Sequence, residues 1–234
     1  MDKTLPVVIL SGGLSTRLYP LTKNIPKALL EIAGKPFIFW QLEYLYNQGV
    51  RNVVLCVGHF GEMIKKEIGD GKKFGLQISY SFDGSEPLGT GGALKNSLEL
   101  IDDNFFVLYG DVYLPIDYIK VQEDFLKSKL PACMTIYKND NSWDKSNIIY
   151  ENEKIIEYNK FNNKTNMRYI DYGLSIFNKK AFKSCADRKK FDLAELLNFL
   201  SINGLVLGHE VFDRFYEVGS HSGIVDTENF FKNK

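Results

Sequence analysis

The sequence predicts an α/β protein with a mostly parallel central sheet. Short apolar runs rich in Val, Ile and Leu, typical of buried strands, alternate with stretches that have helical spacing. Residues 7–10 (VVIL) and 52–57 (NVVLCV) are two such runs, and the apolar pattern of residues 36–46 between them predicts a helix. A strand, a helix and a strand at this spacing predict a right-handed parallel crossover. At 234 residues the chain is long enough for one domain with a full hydrophobic core.

The composition argues against several classes of protein. Lys plus Arg and Asp plus Glu both total 29, so the formal net charge is zero and no general affinity for nucleic acid or an anionic membrane is expected. Cys56, Cys133 and Cys185 are far apart and odd in number, which argues against a disulfide framework and a zinc site. No signal-peptide pattern precedes the first strand, and no apolar run approaches the ~20 residues that span a bilayer. We therefore expect a cytoplasmic protein with reduced thiols and no membrane partner.

The first predicted strand leads into a loop suited to phosphate. Ser11, Gly12 and Gly13 stop the strand with residues that let a ligand approach the backbone closely. Two hydroxyls and a cation follow directly, Ser15, Thr16 and Arg17, and ten residues beyond Arg17 comes Lys27, behind Pro26. Backbone N–H groups, hydroxyls and cations complement the oxygens of a polyphosphate. The spacing is neither GxxxxGK[ST] nor GxGxxG, so neither a P-loop NTPase nor a dinucleotide fingerprint is predicted.

A second glycine-rich segment, residues 86–94 (EPLGTGGAL), stands at the start of a helical pattern that ends near Leu100. Glycines at a helix N-terminus let a flat base or a phosphate reach the backbone. Taken alone, such a segment is more often a simple helix start than a ligand loop. Between the two glycine-rich segments, the pattern predicts a helix at 61–68 and a strand at 77–81.

An acidic residue follows the next predicted strand. Residues 104–108 (NFFVL) have the pattern of a buried strand, and Tyr109, Gly110 and Asp111 follow directly. In open parallel sheets, ligands bind at the carboxyl ends of the strands, where Asp111 is expected. The alternative is that Asp111 caps a helix beginning near Pro115.

The second half of the chain is richer in strand patterns. Strands are predicted at 132–137, at 169–177 and at 205–211, and a hairpin at 146–158. Asp192 is expected to cap a helix over 192–200 in a purely structural role, and a terminal helix ends near Phe231. Lys160 follows the hairpin, where a lysine is most often a solvated charge.

The string L-S-G-G-x-S-T-R-L-x-P-L-T-x-x-x-P-K-A-L, followed by G-K-P, resembles the signature of the nucleotidyltransferases that join a nucleoside triphosphate to a sugar 1-phosphate and release pyrophosphate. The resemblance extends over nearly the whole chain. It implies a Rossmann-like three-layer αβα nucleotidyltransferase fold, with a mostly parallel central sheet and a small β-rich sugar-binding lobe. It also implies one domain, 1–234, with a nucleotide-binding half (1–130) and a sugar-phosphate-binding half (131–234).

The resemblance assigns roles to individual residues. The nucleotide-binding set that it implies is Leu10, Ser11, Gly12, Gly13, Ser15, Thr16, Glu86, Pro87, Gly89, Thr90 and Gly110. Arg17 and Lys27 correspond to the catalytic cations. Asp111 and Glu217 correspond to the ligands of a Mg²⁺ cofactor, which typically takes one or two carboxylates plus phosphate oxygens and water.

The sugar-phosphate side departs from the family pattern. Its candidates are Lys160, Asp171 and Gly173. Lys160 stands in Asn-Lys-Phe where the family has Glu-Lys-Pro, and Asp171 replaces an Asn that bonds sugar hydroxyls. An ionised Asp accepts hydrogen bonds but cannot donate them, so the favoured sugar hydroxyls should change. Glu217 likewise replaces an Asp.

The segment PLGTGGAL looks similar to that of the mannose and heptose 1-phosphate guanylyltransferases, and the short chain resembles the heptose enzymes. We therefore expect GTP and D-glycero-α-D-manno-heptose 1-phosphate as substrates, in the synthesis of cell-surface polysaccharide precursors. The alternatives are a uridylyltransferase acting on a sugar such as N-acetylmuramate 1-phosphate, thymidylyl or cytidylyl transfer, and a catalytically weak nucleotide-sugar sensor. The aromatic helix at 36–46 is expected to pack in the core or to form the interface of a homo-oligomer.

Overall fold

The computed structural model describes residues 4–13, 16–143, 145–152 and 154–234. Within these ranges the chain forms strands β1 (Val7–Ser11), β2 (Glu31–Ile32), β3 (Lys35–Pro36), β4 (Asn52–Val57), β5 (Gln77–Phe82), β6 (Asn104–Tyr109), β7 (Val112–Tyr113), β8 (Ala132–Lys138), β9 (Ile148–Glu151), β10 (Lys154–Tyr158), β11 (Tyr169–Asn178), β12 (Val206–Val211) and β13 (Tyr216–Glu217). The α-helices are α1 (Phe37–Asn47), α2 (Gly61–Ile68), α3 (Gly89–Asn96), α4 (Tyr118–Ser128), α5 (Leu193–Ile202) and α6 (His221–Lys232).

Nine strands form one sheet in the order β5-β4-β1-β6-β11-β8-β12-β10-β9. The pairs β4–β5, β1–β4, β1–β6 and β8–β12 are parallel. β11 runs antiparallel to both β6 and β8, and β10 runs antiparallel to β12 and β9. Seven of the nine strands therefore run in one direction, with β11 and β10 opposed to them, which confirms the predicted α/β fold with a mostly parallel sheet. The predicted hairpin, β9 and β10, continues the same sheet.

Helices cover both faces of this sheet. Val7 and Ile9 of β1 belong to a buried cluster with residues of α1, α2 and α4, such as Leu42. Val8 belongs to a second cluster with residues of α3 and α5, such as Leu197. Because successive strand side chains point to opposite faces, the alternation along β1 creates the three layers. The predicted αβα layering is confirmed.

The parallel strands bring several chain segments to one edge of the sheet. The carboxyl ends of β1, β4, β5 and β6 meet there because these strands are parallel neighbours. Since β11 runs the other way, its first residues reach the same edge: Leu174 pairs with Leu108, which leaves Asp171 and Gly173 beside the end of β6. Residues from both halves of the chain therefore meet at this edge.

A small two-stranded sheet adds the C-terminal segment to this edge. β13 pairs antiparallel with β7, with Glu217 opposite Val112, and the Val218 N–H donates to the Asp111 carbonyl oxygen at 2.8 Å. Helix α6 then packs against α1, where the rings of Trp40 and Phe231 stack with their centroids 4.0 Å apart. The aromatic face of α1 is thus used in packing within the chain, and a homo-oligomer interface stays a prediction.

The cysteines are all buried and free, and burial raises the pKa of Cys56 to about 12. Buried thiols in apolar surroundings are unreactive. None of the helices in the described ranges has the length and apolar character needed to cross a membrane.

Candidate active site

The loop after β1 lies in close contact with neighbouring strand ends. A Cβ on Gly110 would lie 2.2 Å from Ser11 Oγ, and a Cβ on Gly12 would lie 3.3 Å from Asp83 Oδ2. Glycine is therefore required at 110, because no side chain fits between the ends of β1 and β6. The buried Ser11 hydroxyl has no hydrogen-bond partner among the described residues, so its hydrogen-bonding capacity is unused.

The rest of the predicted phosphate loop is open to solvent where it is described. Thr16 and Arg17 lie exposed on a short 3-10 turn that the buried Leu18 anchors, and Gly13 is also exposed. Ser15, another predicted nucleotide-binding residue, lies outside the described residues. The exposed guanidinium of Arg17 is accessible to a phosphate.

Two predicted site residues, Lys27 and Asp111, meet although 84 positions separate them. Lys27 begins a 3-10 turn directly after Pro26, whose backbone is extended, and the buried Ala28 and Leu29 anchor this turn. Lys27 Nζ donates to Asp111 Oδ2 at 2.5 Å, and the two side chains are 21% and 23% exposed. The pair is accessible to a ligand. Its partial burial also reduces screening by water, which strengthens the interaction between the two charges.

Glu217 faces the same point as Asp111. A Cβ on Gly219 would lie 3.0 Å from Glu217 Oε2 and 3.1 Å from Asp111 Oδ2, so both carboxylate oxygens converge beside Gly219. The Gly219 N–H and the Ser220 hydroxyl both donate to the Glu217 carboxylate and fix its orientation. Across the described ranges, no group of three or more His, Cys, Asp or Glu residues could hold a metal ion. A converging pair of carboxylates nevertheless fits Mg²⁺, which completes its shell with phosphate oxygens and water.

Asp111 does not cap the helix that follows. Asp117 does so instead, because its side chain accepts from the N–H groups of Ile119 and Lys120, and α4 begins at Tyr118 rather than near Pro115. The sequence contains this signal, since an Asp directly before an apolar helical pattern favours a cap. The Asp111 carboxylate is thus left for Lys27 and for a ligand.

A cavity of about 210 Å³ lies beside the loop after β1. Its lining residues are Gly12, Gly58, His59, Asp83, Gly84, Ser85, Glu86 and Pro87. Gly12, Glu86 and Pro87 were predicted to bind nucleotide, whereas Asp83 and His59 were not predicted. Both come just after predicted strands, so the rule that singled out Asp111 also applies to them. Burial raises the pKa of the Asp83 carboxyl.

Gly89 and Thr90 pack against the start of α5 instead of lining this cavity. A Cβ on Gly89 would lie 2.6 Å from the Phe191 carbonyl oxygen. The Thr90 hydroxyl donates to Asp192 Oδ1 at 3.1 Å and accepts from the Leu193 N–H at 2.8 Å. This half of the predicted nucleotide segment is therefore tied to the second half of the chain.

The predicted sugar-phosphate residues lie on neighbouring segments. Lys160 Nζ donates to Asp192 Oδ2 at 2.8 Å. The Gly173 N–H donates to Asp171 Oδ1 at 2.9 Å, and Gly173 has a φ of 107°, which favours glycine. Burial raises the pKa of Asp171 to about 6, although the Gly173 hydrogen bond and the charge of Lys160 act in the opposite direction.

Tyr109 connects these groups and was not predicted. Burial raises its pKa well above the ordinary value, and the nearby charges of Asp171, Asp192 and Asp111 raise it further. Its neutral hydroxyl therefore lies in the electrostatic field of carboxylates from three separate segments. A tyrosine before a Gly-Asp pair gives no such signal in the sequence.

The sequence pattern of the nucleotidyl transferase family matches residues 6–230. The chain belongs to this family. A D-glycero-alpha-D-manno-heptose 1-phosphate guanylyltransferase of Campylobacter jejuni is 35% identical over 192 residues, which are 81% of this chain and 83% of that protein. An enzyme of the same description from Aneurinibacillus thermoaerophilus is 29% identical over 191 residues, 80% of this chain and 81% of that protein.

Solved structures agree with this membership of the nucleotidyl transferase family. The crystal structure of HddC from Yersinia pseudotuberculosis has a TM-score of 0.82 at 27% identity, covering 97% of this chain and 99% of that one. HddC has also been solved in complex with GMP-PN. The predicted family, and with it the prediction that the chain is an enzyme, is confirmed.

The carboxyl of Asp171 is expected to make the stability of the fold depend on pH. This group binds a proton more tightly in the folded state, with a pKa of about 6, than at its ordinary pKa of 3.8. Its contribution to stability is therefore lost as pH rises from about 4 to about 6. Asp171→Asn should remove up to about 3 kcal/mol of this pH-dependent loss. Urea unfolding of both proteins at pH 4.5 and pH 7 checks this prediction. It would be contradicted if the free energies of unfolding of wild type and variant differed by the same amount at both pH values.

Proposed function

We propose that the chain is a guanylyltransferase that joins the GMP part of GTP to D-glycero-α-D-manno-heptose 1-phosphate and releases pyrophosphate, as a step toward cell-surface polysaccharide precursors. The observation that carries the reaction type is the Lys27–Asp111 ion pair beside Glu217, at the carboxyl edge of a parallel sheet. Such an arrangement offers a cation and two converging carboxylates where phosphates bind. In this proposal residues 1–130 bind the nucleotide and residues 131–234 bind the sugar phosphate.

The loop after β1 binds the triphosphate. The backbone of Gly12 and Gly13 and the hydroxyls of Ser11 and Thr16 bond the phosphate oxygens; the exposed character of Gly13 and Thr16 and the unpartnered hydroxyl of Ser11 support this role. Arg17 stabilises the departing pyrophosphate through its guanidinium fork. Ser15 belongs to the same loop and is proposed from the sequence pattern alone.

Lys27 lies between the two reacting phosphates. An oxygen of the sugar phosphate attacks the α-phosphorus of GTP, the new P–O bond forms, and the bond to the pyrophosphate oxygen breaks. The difficulty is repulsion between anions, which the Lys27 ammonium relieves as it leaves Asp111 for the phosphates. The nucleophile is already ionised, so no general base is required.

Asp111 and Glu217 would hold Mg²⁺, and their convergence beside Gly219 supports this assignment. When bound, the ion supplies Lewis-acid polarisation of the phosphate oxygens and orients them. The two hydrogen bonds that the Glu217 carboxylate accepts keep it aimed at Asp111, which compensates for the extra methylene relative to the Asp of the family pattern.

The cavity beside the loop after β1, here called the base cavity, is lined by the carboxylate of Asp83, and this supports GTP over UTP as the substrate. Guanine presents two adjacent donors, the ring N1–H and the exocyclic amino group, whereas uracil presents one ring N–H. Asp83 is an acceptor that lines the cavity together with Gly12 and Gly58, where no side chain obstructs a flat ring. A bidentate contact of this type discriminates between bases by about 1–3 kcal/mol.

Asp83→Asn should lower the ratio of kcat/KM for GTP to that for UTP by about tenfold or more, because the amide meets the guanine donors with a donor of its own. Initial rates of pyrophosphate release with each nucleotide measure the ratio. Asp102→Asn, an exposed acid before β6 at the other edge of the sheet, is the matched control. An unchanged ratio in Asp83→Asn would mean that another group reads the base.

Pyrophosphate release from four nucleoside triphosphates, each combined with several sugar 1-phosphates, tests the proposed function. GTP with heptose 1-phosphate should be the fastest pair, with mannose 1-phosphate next. Turnover of UTP with N-acetylmuramate 1-phosphate would favour the uridylyltransferase alternative. Tight binding of nucleotide sugars without turnover of any pair would favour the sensor.

A further inference from the structure

Asp192 makes more contacts than a helix cap requires. Its Oδ1 accepts from the Ala194 N–H at 2.9 Å, which is the capping bond of α5, and from the Thr90 hydroxyl at 3.1 Å. Its Oδ2 accepts from Lys160 Nζ at 2.8 Å. The purely structural role predicted for Asp192 accounts for the first of these bonds and leaves the other two to be explained.

The segment around Asp192 is firmly attached to the start of α3. The Phe191 N–H donates to the Leu88 carbonyl oxygen at 3.1 Å, and the Gly91 N–H donates back to the Phe191 carbonyl oxygen at 3.0 Å. A Cβ on Gly91 would lie 2.2 Å from the Phe191 ring, so only a glycine permits this contact. Asp192 is therefore a fixed point beside the segment that leads from the base cavity into α3.

Stability does not explain the ion pair with Lys160. The two side chains are 50% and 31% exposed, and solvated pairs of this kind contribute about 0–1 kcal/mol. What the pair does is restrict a long side chain: a free lysine samples many rotamers, and ordering one costs up to about 2 kcal/mol. A lysine already held by a fixed carboxylate has lost part of that freedom before a ligand arrives.

The charge of Lys160 acts on two carboxylates on the sugar side of the site, those of Asp171 and Asp192. Asp171 accepts from the Gly173 N–H at 2.9 Å, and Gly173 directly precedes Leu174, which pairs with Leu108 near the end of β6. A cation held between these acids can therefore neutralise an incoming dianion on the sugar side of the site.

Resting on the proposed function, we infer that Asp192 is a positioning residue: it orients Lys160 toward the phosphate of the incoming sugar 1-phosphate and anchors this lysine to the nucleotide segment through Thr90. A single carboxylate, that of Asp192, thereby fixes the position of Lys160 relative to the nucleotide segment. Asp192 acts through Lys160 and does not itself touch the substrate.

Asp192→Asn tests this role with the cap preserved, because Asn caps helices as well as Asp does. The amide oxygen still accepts from Ala194 and Thr90, and the charge that holds Lys160 is removed. We expect KM for the sugar 1-phosphate to rise about tenfold, with kcat and KM for the nucleotide changed less than about twofold. Asp117→Asn, the same change at the cap of α4, is the matched control and should leave all three values unchanged.

A double-mutant cycle separates positioning from an independent structural effect. If Asp192 acts through Lys160, then Asp192→Asn added to Lys160→Ala should raise KM for the sugar 1-phosphate by less than about twofold further. Lys164→Ala removes a neighbouring ion-paired lysine, whose Nζ lies 2.5 Å from Glu157 Oε2, and serves as the control for Lys160→Ala. Additive effects of the two substitutions would contradict the inference.

The remaining outcomes are also decisive. If the wild-type chain turns over no pair of substrates, the proposed function fails and this inference fails with it. If the wild type turns over and Asp192→Asn keeps its KM for the sugar 1-phosphate, the positioning role alone fails. A parallel loss of kcat, nucleotide affinity and thermal stability in Asp192→Asn would assign Asp192 a structural role and overturn the inference.

Discussion

Lys27→Ala should lower kcat for pyrophosphate release by about 10²–10³-fold while the protein remains folded. Removing one preorganised donor from a developing charge typically costs this much in an enzyme. Lys27 Nζ lies 2.5 Å from Asp111 Oδ2 on a turn that follows Pro26, so Asp111 keeps the ammonium beside the site until the phosphates bind and take its place. Because the pair is partly solvated, its loss should change the free energy of unfolding by no more than about 1 kcal/mol.

Steady-state kinetics and thermal unfolding together check the Lys27 prediction. Lys72→Ala is the matched control, because Lys72 forms an ion pair with Asp70 at 2.7 Å on the exposed surface. The control should retain wild-type turnover. A Lys27→Ala protein of normal stability that releases pyrophosphate at the wild-type rate would remove Lys27 from the reaction.

Asp111→Ala should lower kcat by about 10³-fold, and the residual turnover should no longer depend on the magnesium concentration. Two effects combine here: one of two converging carboxylates is lost, and Lys27 loses the partner that holds it. Without Asp111 the site no longer fixes the ion on the reacting phosphates, because Glu217 alone offers a single carboxylate. A magnesium titration of the wild type and the variant measures both effects.

Glu217→Ala should reproduce the loss of magnesium dependence, because its carboxylate faces the same point beside Gly219. Asp102→Ala, at an exposed position before β6, should keep the wild-type titration curve. An Asp111→Ala protein with an unchanged titration curve would show that the ion is held elsewhere.

Local patterns predicted the elements that build the site. The strand over 52–57 and the helix over 61–68 match the structure residue for residue, because short apolar runs and a flanking glycine leave little choice of period or end point. The position of Asp111 after β6 also followed from the strand pattern alone. The role of Lys27 came from resemblance, since nothing in its local sequence indicates a partner 84 positions away.

What local sequence patterns could not predict was set by tertiary pairing. Glu217 reaches Asp111 because β13 pairs with β7, and two-residue strands have no recognisable period. The sequence correctly predicts Asp192 as a helix cap, but this local pattern gives no indication of its bonds with Lys160 and Thr90. Asp83 could have been predicted if every strand of the parallel sheet, and not β6 alone, had been searched for polar residues at its carboxyl end.

Competition among nucleotides tests the central claim most directly. The wild-type enzyme is incubated with heptose 1-phosphate, magnesium and equal concentrations of GTP, UTP, CTP and dTTP, and the nucleotide sugars formed are separated and identified by mass. We predict GDP-heptose as the main product, with one pyrophosphate released for each molecule formed. A different nucleoside diphosphate heptose as the main product, or no nucleotide sugar at all, would contradict the account.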